Sequence, residues 1–235
     1  MSRPMSDENN TSITPYMLTL GPIMLLGAFI LWPAADYVGS RGTESLANEA
    51  DSLMPLLIVA SLGTMVMFGG LYLLNAEMME NSEGMHKQLL TVGSMLIIAS
   101  LVAFIMGMGS NVAIINEADA TIDASSDAIA DAYVDQSDLD DSMNNMFDAG
   151  SVAWLMSPVT WGLALIIIGF VAFQSGRQDG PMGLVFPALM PIGTMFLSAP
   201  IIDDPAWFNI VFPVTILTHV LVGGLMVAGK LNIPE

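Results

Sequence analysis

Cysteine is absent from the 235 residues. Disulfides, thiolate metal sites, iron–sulfur clusters and cysteine nucleophiles are therefore excluded. Basic residues are scarce: five Lys and Arg stand against 23 Asp and Glu, a net charge of −18. That balance argues against nucleic acid and anionic lipid surfaces as partners, since both recruit Lys and Arg. The two histidines, His86 and His219, leave little room for a histidine-rich metal site. Charge of either sign is low, 12% of residues against about a quarter in soluble domains. Hydrophobic residues make up 54%. A soluble fold of this size cannot hide so much apolar surface, whereas a bilayer removes the need to.

A membrane-crossing helix needs about 20 mostly apolar residues. Six stretches meet this: 17–35, 54–74, 89–115, 151–173, 183–202 and 206–229. No Lys, Arg, Asp or Glu lies deep inside any of them. The sequence thus predicts an all-α polytopic protein, a bundle of about six transmembrane helices with a small acidic helical external cap. Pro187, Pro191 and Pro200 interrupt the fifth stretch and predict a kinked or broken helix. The first stretch lacks the paired small residues of a signal-peptide cleavage site around Trp32-Pro33-Ala34-Ala35, so the expectation is that it is retained.

With six crossings, Arg3, Lys87, Arg177 and Lys230 fall on one side and Arg41 alone on the other. The positive-inside rule then places the 1–16 tail and the 230–235 tail in the cytoplasm, and 116–150 outside the plasma membrane. Tyr16, Trp32, Tyr37, Tyr72, Trp154 and Trp207 fall near predicted helix ends, where amphipathic rings favour the headgroup level. Pro22-Ile23 and Pro33-Ala-Ala-Asp36 resemble Pro191-Ile192 and Pro200-Ile-Ile-Asp203, each followed by a Gly-Gly-Leu. The frequency of Gly, Pro and Leu in membrane helices accounts for this likeness.

Residues 116–150 hold ten acids and no base, and neither Gly nor Pro occurs between Gly109 and Gly150. Asp119, Asp123, Asp127, Asp131 and Asp135 recur every four residues, beside an apolar stripe of Ile115, Ile122 and Ile129. The pattern predicts that the third span continues as a helix to about Asp135. A second short helix, capped by Ser137 or Asp138 and with Asp140 and Asp141 in its first turn, is predicted to end at Gly150. As a functional surface, Asp119 to Asp141 would attract cations or a basic external partner. The simpler account is a solvated charged face: the central Gly and closing Glu of a calcium loop are missing, and like charges four apart repel.

His219 sits near the middle of the last span, where an ionisable side chain is a functional candidate by default. Thr64, Ser100, Thr160 and Thr194 lie near the midpoints of spans two to five, with Trp161 at the same level. Converging, they would make a midplane solute site. The competing reading is that the hydroxyls bond their own helices and that His219 makes one interhelical hydrogen bond. The membrane carboxylates usual in ion-coupled transport are missing, since Asp36, Glu77, Asp203 and Asp204 lie at the edges. His86 and His219 differ in depth, which argues against a bis-histidine haem. Glu83-x-x-His86 has half of a di-iron spacing and lacks the other half. The 20 methionines suit Cu(I) but also serve as flexible filler.

Nucleophile elbows, zinc-protease motifs, phosphate loops and dinucleotide fingerprints are all missing. No catalytic residue, metal or cofactor is implied. The expectation is a non-catalytic scaffold or accessory subunit of a membrane complex, with lipid and other membrane subunits as partners. Small-residue faces such as Gly63 with Gly69-Gly70 would be its docking surface. The alternative is a permease or channel for a small neutral solute centred on His219.

Overall fold

The computed structural model describes residues 12–32, 46, 49–123, 136–175, 180–202 and 204–234. Among them every regular element is helical: α1 (Thr14–Ile30), α2 (Ala50–Glu80), α3 (Gly84–Asp123), α4 (Gln136–Gln174), a 3-10 turn (Gly180–Leu184), α5 (Leu189–Ile202) and α6 (Pro205–Val227). Five segments are long and apolar enough to cross a membrane: Ala50–Glu80, Gly84–Glu117, Asp141–Gln174, Gly180–Ile202 and Ala206–Val227. The chain is a multi-pass membrane protein. Helix α1 is apolar but shorter, 17 residues, or about 25 Å at 1.5 Å per residue.

The fifth segment starts as a 3-10 turn and becomes α-helical only at Leu189. Pro187 and Pro191 withhold two amide donors here, so the first turns cannot close a full set of α-helical bonds, although Ala188 N–H still reaches Leu184 O at 3.0 Å. Short-range bonds replace the missing ones, including Val185 N–H to Met182 O at 3.1 Å and Met190 N–H to Pro187 O at 3.1 Å. Gly150 does not end a helix. Helix α4 runs straight from Gln136 through Gly150 into the fourth span. The glycine is there for proximity, because a Cβ at 150 would strike the Ser110 side chain of α3.

Helix α3 reaches Asp123, so Asp119 and Asp123 lie on its last turns; Asp127, Asp131 and Asp135 fall outside the described residues. Asp138, Asp140 and Asp141 lie in the first turns of α4, and Asp141 is exposed.

Each helix packs mainly on its neighbours in the chain, and α6 closes on α1. The result is a ring of six helices. Large side chains such as Ile58, Met95 and Leu221 point outward as lipid-facing residues. Glycines set the closest approaches in the ring. A Cβ on Gly63 would lie 2.8 Å from Leu25 N and 2.9 Å from Gly21 O, while one on Gly21 would lie 2.8 Å from Gly63 O. The same reciprocal contact joins α4 and α5, where a Cβ on Gly162 would lie 2.7 Å from Gly193 O. Gly70 meets Met17 and Leu18 of α1. The Gly63 and Gly70 face is thus consumed by α1 and is not open for a partner. The two Gly-Gly-Leu runs are not equivalent in packing either: Gly70 packs on the helix that precedes its own, α1, whereas the nearest neighbours of Gly223 also belong to α1 and not to its preceding helix α5.

The N-terminal end of α1 is tied to α2 by a carboxylate. Glu77 Oε1 accepts from Ser12 Oγ and Thr14 Oγ1, each at 2.7 Å, and Thr14 is buried. Glu77→Ala strands that hydroxyl, so it is expected to destabilise by about 1–3 kcal/mol. Denaturation of the detergent-solubilised protein measures this, with Glu80→Ala, at an exposed position, as the unaffected control.

Candidate functional site

The centre of the ring is filled by aromatic side chains. Trp161 of α4 is fully buried. Its ring meets Phe68 of α2 at 4.9 Å, Phe196 of α5 at 4.8 Å and His219 of α6 at 5.3 Å between centroids. The first two contacts are edge-to-face, the arrangement that ring quadrupoles favour. Since α2 and α4 are not neighbours in the ring, the Trp161–Phe68 contact spans the middle of the bundle.

Around this plug the predicted polar residues divide into two groups and one residue that joins neither. His219 and Trp161 meet directly, and Thr64 lies one turn before Phe68 on α2, buried. His219 Nδ1 lies 2.7 Å from the Thr215 carbonyl. A carbonyl only accepts, so Nδ1 is the donor, and in the neutral tautomer this leaves Nε2 as an acceptor. The expected interhelical bond from His219 is therefore replaced by one within its own helix. Thr64 Oγ1, Trp161 Nε1 and His219 Nε2 are all buried with no hydrogen-bond partner in the protein.

Ser100 and Thr160 form a second group, between α3 and α4. Ser100 Oγ donates to Ser157 O at 3.0 Å, and Thr160 Oγ1 bonds the same carbonyl at 3.2 Å and Met156 O at 2.9 Å. Ser157 Oγ lies 3.2 Å from Ser100 Oγ. These hydroxyls are satisfied by helix packing. Pro158, which follows, frees the Trp154 carbonyl by lacking an amide hydrogen.

Thr194 joins neither group. It is exposed on the outside of α5 and donates to its own Met190 carbonyl at 2.9 Å. A midpoint position places a residue at a depth; the helix rotation that decides inside from outside is set by packing of Gly193 and Phe196, not by Thr194.

Away from the midplane, His86 takes part in a contact between helices. Its Nε2 lies 2.8 Å from Gln174 Oε1 and so bridges the ends of α3 and α4. Asn75 is buried on α2; its amide nitrogen donates to Leu90 O at 2.7 Å and to Ser94 Oγ at 2.8 Å of α3.

No family model, curated protein or solved structure matches the chain.

Sequence reasoning missed Phe68, Phe196 and Ser157, which complete the two groups. Phe68 had a signal, four residues after Thr64 and so on the same helix face. It also missed a cavity of about 490 Å³ at the end of the bundle where α1 ends and α6 begins. Its walls come from helices far apart in sequence, so no local pattern announces it.

Proposed function

We propose that this is a non-catalytic multi-pass membrane protein that serves as a scaffold or accessory subunit of a membrane complex, with α1 as its sixth crossing. The observation that carries this reading is the aromatic plug: Trp161 is fully buried, with Phe68, Phe196 and His219 packed about it. A midplane filled in this way supports a structural role over passage of solute. The sixth crossing is supported by the packing of α1 along both α2 and α6. The distribution of bases supports cytoplasmic termini and an external acidic segment in the plasma membrane. The small-residue faces argued from sequence no longer support a docking surface, so a partner would contact the lipid-facing apolar residues or the acidic end.

A second reading, a permease for a small neutral solute, is favoured by one specific observation. Three buried polar atoms around the plug, Thr64 Oγ1, Trp161 Nε1 and His219 Nε2, have no protein partner. Buried groups normally find partners, and two donors and an acceptor suit one water or one small amide or alcohol.

The cysteine-free chain permits a direct test. His219→Cys is expected to resist a small membrane-impermeant thiol reagent from both sides, while Asp141→Cys, at an exposed position, reacts readily. Labelling at 219 would mean that water reaches the plug, and the scaffold reading would give way to the permease.

A further inference from the structure

We propose that the cavity at the acidic end of the bundle binds a lipophilic organic cation, an apolar, ring-bearing body with one delocalised positive charge. The proposal does not rest on either functional reading above: none of the plug residues Phe68, Trp161, Phe196 and His219 lines the cavity, although Phe208 and Phe212 of its wall adjoin Phe196, with centroids 6.4 and 6.3 Å away.

The cavity, about 490 Å³, has walls from α1 and its C-terminal turn, α3, α4 and α6. In the ring, α1 pairs with α6 and α3 pairs with α4. The cavity lies where the ends of the two pairs face each other. Its size is that of a small-molecule site.

Six aromatic rings line it: Phe29, Trp32, Phe147, Trp154, Phe208 and Phe212. Four of them, Trp32, Phe29, Phe212 and Phe208, form a chain of ring contacts along one wall. Phe29 stacks on Trp32 at 5.5 Å and meets Phe212 edge-on at 4.9 Å, and Phe212 stacks on Phe208 at 5.3 Å. The polar lining side chains are two carboxamides, Asn111 and Asn209, and none of the lining residues is charged. A wall of this kind needs a ligand that is mostly apolar. The electron-rich ring faces distinguish a cation from a neutral body of the same shape.

The surrounding charge has the same sign preference. Asp204 caps α6 by accepting from Ala206 N–H at 2.9 Å, and so offsets the positive end of that helix dipole one turn before Phe208. Asp148 follows Phe147 on α4, and both acids are exposed. With a net charge of −18 on the chain, the long-range field draws cations and repels anionic amphiphiles. An apolar anion and a fatty-acid carboxylate are therefore disfavoured occupants.

The test is equilibrium dialysis of the full-length protein in nanodiscs against methyltriphenylphosphonium and against triphenylphosphine oxide, with empty nanodiscs subtracted. The two probes share three phenyl rings and differ in charge. Saturable binding of about one cation per chain is expected, roughly tenfold tighter than the neutral oxide and weaker at high salt. Phe212→Leu keeps an apolar wall and removes a π face, so it should reduce the cation preference while leaving binding of the oxide unchanged. Leu26→Trp fills the cavity and should abolish both. Equal binding of the two probes would mean a neutral hydrophobic site and would overturn the proposal. So would the absence of binding above empty nanodiscs, which would mean that a lipid chain fills the space, or a Phe212→Leu protein with an undiminished cation preference.

Discussion

Gly63→Val is expected to destabilise the protein by about 3 kcal/mol or more, the upper end of the range for overpacked sites. The first added carbon would stand 2.8 Å from the backbone nitrogen of Leu25 and 2.9 Å from the carbonyl oxygen of Gly21. Neither is a side chain that can turn away. Relief requires α1 and α2 to separate, and their contact runs along much of both helices. Close approach of backbones through small residues is the main source of helix association in lipid, where the hydrophobic effect does not drive one helix onto another. Gly162→Val is expected to act alike on α4 and α5, because Gly193 O and Leu197 N would lie within 2.9 Å of the new carbon. Gly27→Ala supplies the control: nothing lies within 4 Å of its added carbon, so helix propensity should leave stability unchanged or raise it by up to about 1 kcal/mol. Unfolding of the detergent-solubilised variants, followed by loss of helical circular dichroism, ranks the three. Equal stability of Gly63→Val and Gly27→Ala would refute the glycine-set crossing.

Trp161→Ala is expected to cost about 3–5 kcal/mol, the range for emptying a fully buried large aromatic site. It removes the ring that Phe68, Phe196 and His219 all touch. A second effect separates this from ordinary core damage. In the Trp161→Ala background, His219→Cys should become more reactive to the impermeant thiol reagent, because loss of the indole opens a gap directly beside position 219. Trp161→Phe refines the result. It keeps most of the ring packing and deletes the unpartnered indole N–H. If nothing occupies the site, removal of an unsatisfied donor offsets the lost volume, and stability changes by about 1 kcal/mol or less. A loss of about 2–3 kcal/mol would show that the indole donates to a held water or solute, and would favour the permease reading.

Composition alone places this chain in a membrane, and the length of its apolar runs locates five of the crossings. The expected stretch 54–74 lies inside Ala50–Glu80, and 89–115 inside Gly84–Asp123. Pro187 and Pro191 likewise mark the weak start of the fifth segment, because a proline removes a donor wherever it stands. Gly150 misleads for a related reason. Glycine reads locally as a helix end, yet here it is spent on the approach of α3 to α4, a contact with a residue 40 positions away in the sequence.

The candidate site was legible only in depth. Counting along each span places Trp161 and His219 at one level, and the structure brings them into contact. The same count includes Thr194, which faces outward. Lipid and protein interior are both apolar, so hydrophobic periodicity, which tells inside from outside in a soluble helix, carries little information in these spans. What the sequence determined by itself is the solvent, the helical class and the approximate depth of each side chain, because these follow from transfer energies summed along the chain. What only the tertiary structure decided is which face of each helix turns inward, which glycines touch, and where a cavity is left. Those depend on the fit between helices distant in sequence, and no local pattern records that fit.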